Sequence, residues 1–263
     1  MRKVSLFGIL LLFILTIAFA GCGGGNVSSS STATEFTVDA NTMALWHFDE
    51  GNGTTTADAA GHYNLTFENG PGNYPTFVAG KNGFNTCLSF SGSNEWLQTS
   101  VSTKVPFSST GLTVEFWINL ATLPTGVNVY DILQTSDMNG LNIYLDKFGY
   151  IYCELYDYVS SSNNHVYGAN STNGIPTDSA WHYVACTWDG STIYVYIDGV
   201  LAASQAGVFS PQTEPCGGWY VGGIAGSSCL KGELDEMRVL TIADSATNIA
   251  NYYNQNKSLY RGK

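Results

Sequence analysis

The chain has 263 residues, enough for a leader and one large all-β domain, and it carries 10 Lys plus Arg against 21 Asp plus Glu, a formal charge of -11. That balance repels phosphate backbones and anionic membrane surfaces, which argues against a nucleic-acid partner. Only 12% of residues are charged while Gly numbers 29 and Tyr 16, a composition that deprives helices of their solvent faces and suits half-buried strands.

Arg2 and Lys3 precede an apolar run from Val4 to Ala20, so residues 1–21 read as a secretory signal peptide. The small residues before Cys22 resemble the end of a bacterial lipoprotein signal, in which the cysteine is lipidated and becomes the new N-terminus. Phe19 departs from that pattern, and cleavage after Ala20 with Cys22 unmodified is the alternative. The stretch GGGNVSSSSTATE that follows is Gly and Ser rich, so residues 22–37 are expected to act as a flexible tether. The expected location is outside the cytoplasm, anchored at the cell surface or periplasmic face through the lipid on Cys22, or secreted without it. No later segment approaches 18 consecutive apolar residues.

Residues 38–258 read as one domain of short strands. In LNIYLDKFGYIYCELYDYV, Leu141, Ile143, Leu145, Ile151, Cys153 and Leu155 alternate with Asn142, Tyr144, Asp146, Tyr150, Tyr152, Glu154 and Tyr156. One face is therefore apolar and the other is tyrosine with carboxylates. Lys147-Phe148-Gly149 supplies the turn, and the stretch from Val159 to Ser179 reads as a long loop able to shape or cover a site. STIYVYIDG repeats the scheme, with Ile193, Val195 and Ile197 opposed to Tyr194, Tyr196 and Asp198. Asp189-Gly190 and Asp198-Gly199 are turn signals around it. Antiparallel hairpins with one apolar face need a second layer, which predicts a two-sheet sandwich. The one helical signal is Ser245 to Tyr253, with Ile249, Tyr252 and Tyr253 at helical spacing behind Asp244 or Ser245 as cap.

Five cysteines follow Cys22: Cys87, Cys153, Cys186, Cys216 and Cys229. An odd number leaves at least one thiol unpaired within the chain, and no C-x-x-C spacing suggests zinc. Cys216 and Cys229 bracket a strand and turn and are the expected disulfide. Cys153 and Cys186 are candidates to meet across neighbouring strands, and Cys87 is then left free.

Five stretches, in order, resemble the laminin-G-like jelly roll of the concanavalin A-like lectin and glucanase superfamily. They are ALWHFDEGNGTTTADAAGHYNLTF from Ala44, GFNTCLSFSGSNEWLQT from Gly83, GLTVEFWINL from Gly111, WHYVACTWDGSTIYVYIDGVL from Trp181, and WYVGGIAGSSCLKGELDEMRVL from Trp219. The resemblance implies an all-β, two-sheet antiparallel jelly-roll sandwich with one short C-terminal helix. It also implies an outer face used for glycans, where aromatic rings stack on sugars and carboxylates or amides accept their hydroxyls. The expected binding residues are Tyr150, Tyr152, Glu154 and Tyr156, with Tyr144, Tyr194, Tyr196 and Trp219 beside them. The alternative is that alternating tyrosine is simply what half-exposed strands use.

Related folds carry a calcium ion where the opening loop meets the closing strand, which implies one structural calcium on Asp49, Glu50, Asp58 and Asp235. The alternative has Asp58 capping a turn and Asp235 pairing with Arg238 or an amide. The fold also includes hydrolases, but Glu233-Leu234-Asp235-Glu236-Met237-Arg238 lacks the second glutamate their strand requires, and Glu154 and Asp157 have opposite parity. The expected function is a non-catalytic binding module for carbohydrate or a glycosylated surface partner, touching the membrane only through its lipid. Protein-mediated adhesion is the alternative, and a glycoside hydrolase a more distant one.

Overall fold

The computed structural model describes residues 35–81, 84–100, 103–106, 110–126, 128–135, 140–160, 163–207, 216–224 and 228–261, with the side chains of 104, 157–160, 163–167, 216 and 261 excepted. The leader, Cys22 and most of the tether lie outside these residues. Residues 32–263 form one compact unit.

In chain order the first strands are β1 (Thr42–Trp46), β2 (Thr55–Thr56), β3 (Leu65–Phe67), β4 (Thr76–Ala79), β5 (Thr86–Ser91) and β6 (Leu97–Gln98). The middle of the chain gives β7 (Lys104–Val105), β8 (Leu112–Leu120), β9 (Tyr130–Thr135), β10 (Leu141–Leu145), β11 (Ile151–Ser160) and β12 (Asn163–Asn170). The last are β13 (His182–Trp188), β14 (Thr192–Ile197), β15 (Val200–Ala206), β16 (Cys216–Gly217), β17 (Trp219–Val221), β18 (Lys231–Leu240) and the helix α1 (Ala246–Arg261).

These form the expected all-β jelly-roll sandwich. One antiparallel sheet runs β15-β14-β13-β8-β18-β5-β4, with β1 also on β18; the other runs β12-β11-β10-β9-β17-β6-β3-β2. We call them the helix-side sheet and the open sheet. Inward residues of both, among them Trp46, Phe116, Ile143, Leu155, Trp188 and Val195, make one apolar core between the layers. The alternation read from the sequence sets this directly, because a strand with one apolar face has that face turned to the opposite sheet.

The helix-side sheet is covered on its outer face too. Strand β13 is buried at all seven positions, because α1 lies over it with Ile249, Tyr252, Tyr253 and Tyr260 against Trp117, Trp181 and Tyr183. Trp117 and Tyr260 stack at 3.9 Å between centroids. The helix runs to Arg261, well past the expected Tyr253. Buried Asn256, whose Nδ2 donates to the Tyr252 carbonyl, sits in its apolar stripe and hides the period. Ser245 is the cap, its Oγ accepting from Asn248 N at 3.1 Å. The Asp198-Gly199 turn has positive φ at both residues, 54° and 75°, as a tight hairpin requires. Gly199 is needed twice over, since a Cβ there would lie 3.0 Å from the Tyr253 ring and 3.2 Å from the Ala250 backbone.

Two expectations change. The loop expected from Val159 to Ser179 opens as an extension of the hairpin, with β11 reaching Ser160 and pairing with β12. Strand β18 carries a bulge between Asp235 and Arg238, with Glu236 at φ 47°, so Leu234 and Met237 both face the core.

Candidate functional site

Among the described residues, no helix covers the outer face of the open sheet. Strand pairing sets a polar row across it: Glu154 lies opposite Asn142, Asn142 opposite Gln134, Gln134 opposite Tyr220, Tyr220 opposite Gln98 and Gln98 opposite Thr66. At the ordinary strand spacing that row is about 24 Å long. A second row sets Tyr152 opposite Tyr144 and Tyr144 opposite Asp131. No strand of this sheet contains Lys or Arg.

Alternation supplies most of this geometry. Asn142 and Tyr144 leave β10 on the side away from Leu141, Ile143 and Leu145, as do Tyr152, Glu154 and Tyr156 from β11. Strand β9 differs. A register shift places both Ile132 and Leu133 in the core, so Asp131 and Gln134 both turn outward.

The side chains are tied to one another. Tyr144 and Tyr152 stack in parallel, 4.7 Å between centroids with 4° between planes. Tyr144 and Tyr156 donate their hydroxyls to the two oxygens of Glu154, at 2.8 and 2.7 Å. Tyr152 donates to Asp146 at 3.3 Å. Burial first, and then Glu154, push the phenols of Tyr144 and Tyr156 well above the usual tyrosine value, so both hydroxyls stay protonated and aimed at the carboxylate. Asp131 is 4% exposed, and burial pushes its carboxyl up to about 6 despite hydrogen bonds from Ser228 and Asn142. Gln134 Oε1 and Asn142 Oδ1 are buried with no hydrogen-bond partner among the described residues. The face thus presents fixed rings, a carboxylate with remaining lone pairs, and amides.

The expected binding residues divide. Tyr144, Tyr152, Glu154 and Tyr156 share this face, and Tyr150 continues it at the turn, with its ring 5.7 Å from exposed Phe148. Tyr194 and Tyr196 do not belong to it: they leave β14 on the outer side of the helix-side sheet, where Tyr196 is buried in the aromatic cluster beneath α1. Trp219 is also corrected, being fully buried between the sheets. Its neighbour Tyr220 takes the outward position. Asp131, Gln134, Tyr220 and Gln98 were missed by sequence reasoning. The shared parity of Trp219 and Val221 was the one signal that could have placed Tyr220 outside.

The four carboxylates expected to hold calcium do not fit as a ligand set. Asp58 accepts four backbone N–H groups, from Leu45, Ala60, His62 and Tyr63, and so organises the turn after β2. Glu50 accepts from Thr56 and Ala57, and Asp49 from Asn85 and Thr86. Asp235 accepts from Glu236 N and the Tyr260 hydroxyl beneath α1. Among the described residues, no group of three or more His, Cys, Asp or Glu side chains is placed to hold a metal ion.

The hydrolase-like segment is equally committed. Asp235 and Glu236 are fully buried, and Glu236 accepts from Phe36 N at 2.8 Å and contacts His47 Nδ1 at 2.5 Å. Arg238 pairs with Glu115, not Asp235, and lies 4.0 Å from the Phe36 ring centroid. These charges hold α1 and the entering chain onto the sheet. His182 bonds Asp198 at 3.0 Å and Asp178 at 3.4 Å, a turn-fixing role. The Cys216 side chain lies outside the described residues, and with it the expected Cys216–Cys229 bridge; Cys229 is buried.

Residues 91–250 match a laminin-G family model described as the concanavalin A-like lectin/glucanases superfamily. A comparison with curated proteins gives no match. Among solved structures, domain 4 of the extracellular GH43 arabinanase AbnA from Geobacillus stearothermophilus, in complex with arabinotriose, is similar at TM-score 0.60 and 18% identity, over 81% of this chain and 98% of that one. The binding domain of Paraclostridial Mosquitocidal Protein 1 is similar at TM-score 0.61 and 15% identity, over 81% of this chain and 52% of its own. That of botulinum neurotoxin DC, in complex with SialylT, gives 0.58 and 11%, over 82% and 51%. At such identities the likeness is one of fold, and the chain spans about half the length of the toxin domains.

Proposed function

This chain belongs to the concanavalin A-like lectin/glucanases superfamily, and from that premise we propose that it is a non-catalytic binding module that recognises carbohydrate on the outer face of its open sheet. The observation that carries the reading is the stacked Tyr144–Tyr152 pair beside Glu154 and a row of amides. Rings held in place lose little side-chain freedom on binding and offer apolar faces to sugar C–H groups, while the half-buried Glu154 and Gln98 accept hydroxyl hydrogens. The arabinanase domain with its arabinotriose and the toxin domain with its SialylT support a saccharide as ligand class. A sheet whose strands carry Asp131 and Glu154 and neither Lys nor Arg favours a neutral saccharide over a sialylated one, because a further negative charge would be repelled at close range.

The module works outside the cytoplasm, tethered through residues 22–37 to a lipid on Cys22. Replacing Cys22 with Ala would release it from the membrane fraction if that anchor is used. Catalysis is disfavoured by the commitment of the strand carboxylates to bonds beneath the helix. A second reading, protein-mediated adhesion, is favoured by the exposed Val200 and Leu201 of β15, beside a 230 Å³ cleft that includes Pro176 and Asp198.

The test is a glycan array probed with the full chain. The proposal expects retention on neutral oligosaccharides and none on their sialylated counterparts. Retention on no glycan contradicts it and leaves adhesion as the reading.

A further inference from the structure

Two thiols meet in the core between the layers. Cys153 faces inward from β11, between Ile151 and Leu155 and opposite Ile143 and Ala169 on its flanking strands. Cys186 faces inward from β13, opposite Val114 and Val195. These strands belong to different sheets, so only closure of the sandwich brings the cysteines together, and not the strand adjacency that spacing suggested. Cys153 is the titratable neighbour that acts on the Cys186 thiol across this core. Stacked sheets usually lie about 10 Å apart. Here β11 and β14, the strand next to β13, approach within 8 Å between Cα atoms. Disulfides span Cα separations of roughly 4.4 to 6.8 Å, so the bond requires the layers to stand closer at this pair than the ordinary sheet spacing.

We propose that Cys153 and Cys186 become an inter-sheet disulfide when the chain folds in an oxidising compartment, tying the two layers of the sandwich covalently. The proposal rests on the reading that the chain is exported. The oxidant is a disulfide, either that of a thiol oxidoreductase or glutathione disulfide. One cysteine thiolate attacks it to give a mixed disulfide, and the second displaces the oxidant's remaining thiol. Two S–H bonds are lost and one S–S bond forms, while the oxidant's S–S takes up two electrons and two protons as two thiols.

Two features set timing and partner. Burial holds the Cys186 thiol far above its ordinary value, so the closed sandwich offers little thiolate and the bond forms as the sheets dock. Cys87 belongs to the cluster on the outer side of the helix-side sheet, which separates it from this pair. Cys229 lies against Gly223 and Glu95, away from both.

The experiment expresses the full chain with its own leader, denatures the membrane extract in an alkylating agent without reductant, and maps peptides by mass spectrometry. The expected result is a Cys153–Cys186 linked peptide in leader-processed protein, and a melting temperature about 10 °C higher than after reduction and refolding. Alkyl label on both cysteines in leader-processed protein overturns the proposal, as does linkage of either one to a different cysteine. If the leader is retained, the export reading has failed on its own. The same chain is then reduced, denatured and refolded in detergent with glutathione disulfide: the Cys153–Cys186 link supports the pairing, and two labelled thiols overturn it.

Discussion

Asp131 should make the protein less stable as pH rises from 4 to 7, and removing its charge should abolish that trend. Burial pushes its carboxyl from 3.8 to about 6. Between those values the folded state holds a proton that the unfolded state has released. Stability from this group is therefore full below about pH 4 and declines through pH 6. A rise from 3.8 to about 6 corresponds to about 3 kcal/mol. Asp131→Asn keeps an acceptor for Ser228 and is neutral at every pH. The variant should match the wild type near pH 3.5 and exceed it by about 3 kcal/mol at pH 8. The assay is urea denaturation of both proteins from pH 3.5 to 8, where subtraction cancels the other titrating groups. A difference that is the same at all pH values would refute the reasoning, since it would mean that the carboxyl is not desolvated.

Three further outcomes follow from the helix side. Arg238→Met leaves Glu115 buried without its cation and should cost about 3 to 5 kcal/mol in denaturant, while adding Glu115→Gln should recover most of it; equal losses in single and double variants would contradict this. The hydrogen bond with Glu236 lifts His47 above 6.5 against the opposing effect of burial. The stability it contributes is present below about 6.5 and lost as pH rises through the folded value, so His47→Gln should flatten the denaturation profile on the alkaline side. Gly199→Ala forces a side chain into a left-handed turn against Tyr253 and should lower stability by about 1 to 3 kcal/mol, read as a fall in melting temperature.

The fold was legible because its hairpins alternate cleanly: Ile193, Val195 and Ile197 against Tyr194 and Tyr196 leave no doubt about which side is apolar. Alternation says nothing about which layer a hairpin joins. Tyr194 and Tyr152 carry the same pattern in sequence, yet non-local strand pairing sends them to opposite sheets and places only Tyr194 on the side that α1 covers. Short or bulged strands erase the signal altogether. The three residues of β17 offer only the single alternation of Trp219 and Val221 about Tyr220, too short a run to stand out, and the extra residue at Ile132 disguised Asp131 and Gln134 as members of an unpatterned stretch. The acidic opening loop illustrates a third limit. Asp58 has the residue type and setting of a calcium ligand, and the four backbone N–H groups that occupy it become visible only once the turn is folded.

The separation of the two tyrosine pairs gives the most direct test of the binding face. An oligosaccharide retained on the array would be titrated calorimetrically into the wild type, Tyr152→Ala and Tyr194→Ala, with melting temperatures measured alongside. The account predicts at least a tenfold weaker dissociation constant for Tyr152→Ala, about 1.4 kcal/mol, with no effect from Tyr194→Ala and little change in melting temperature for either. Unchanged affinity in Tyr152→Ala, or a loss confined to Tyr194→Ala, would move the site off the open sheet and contradict the account.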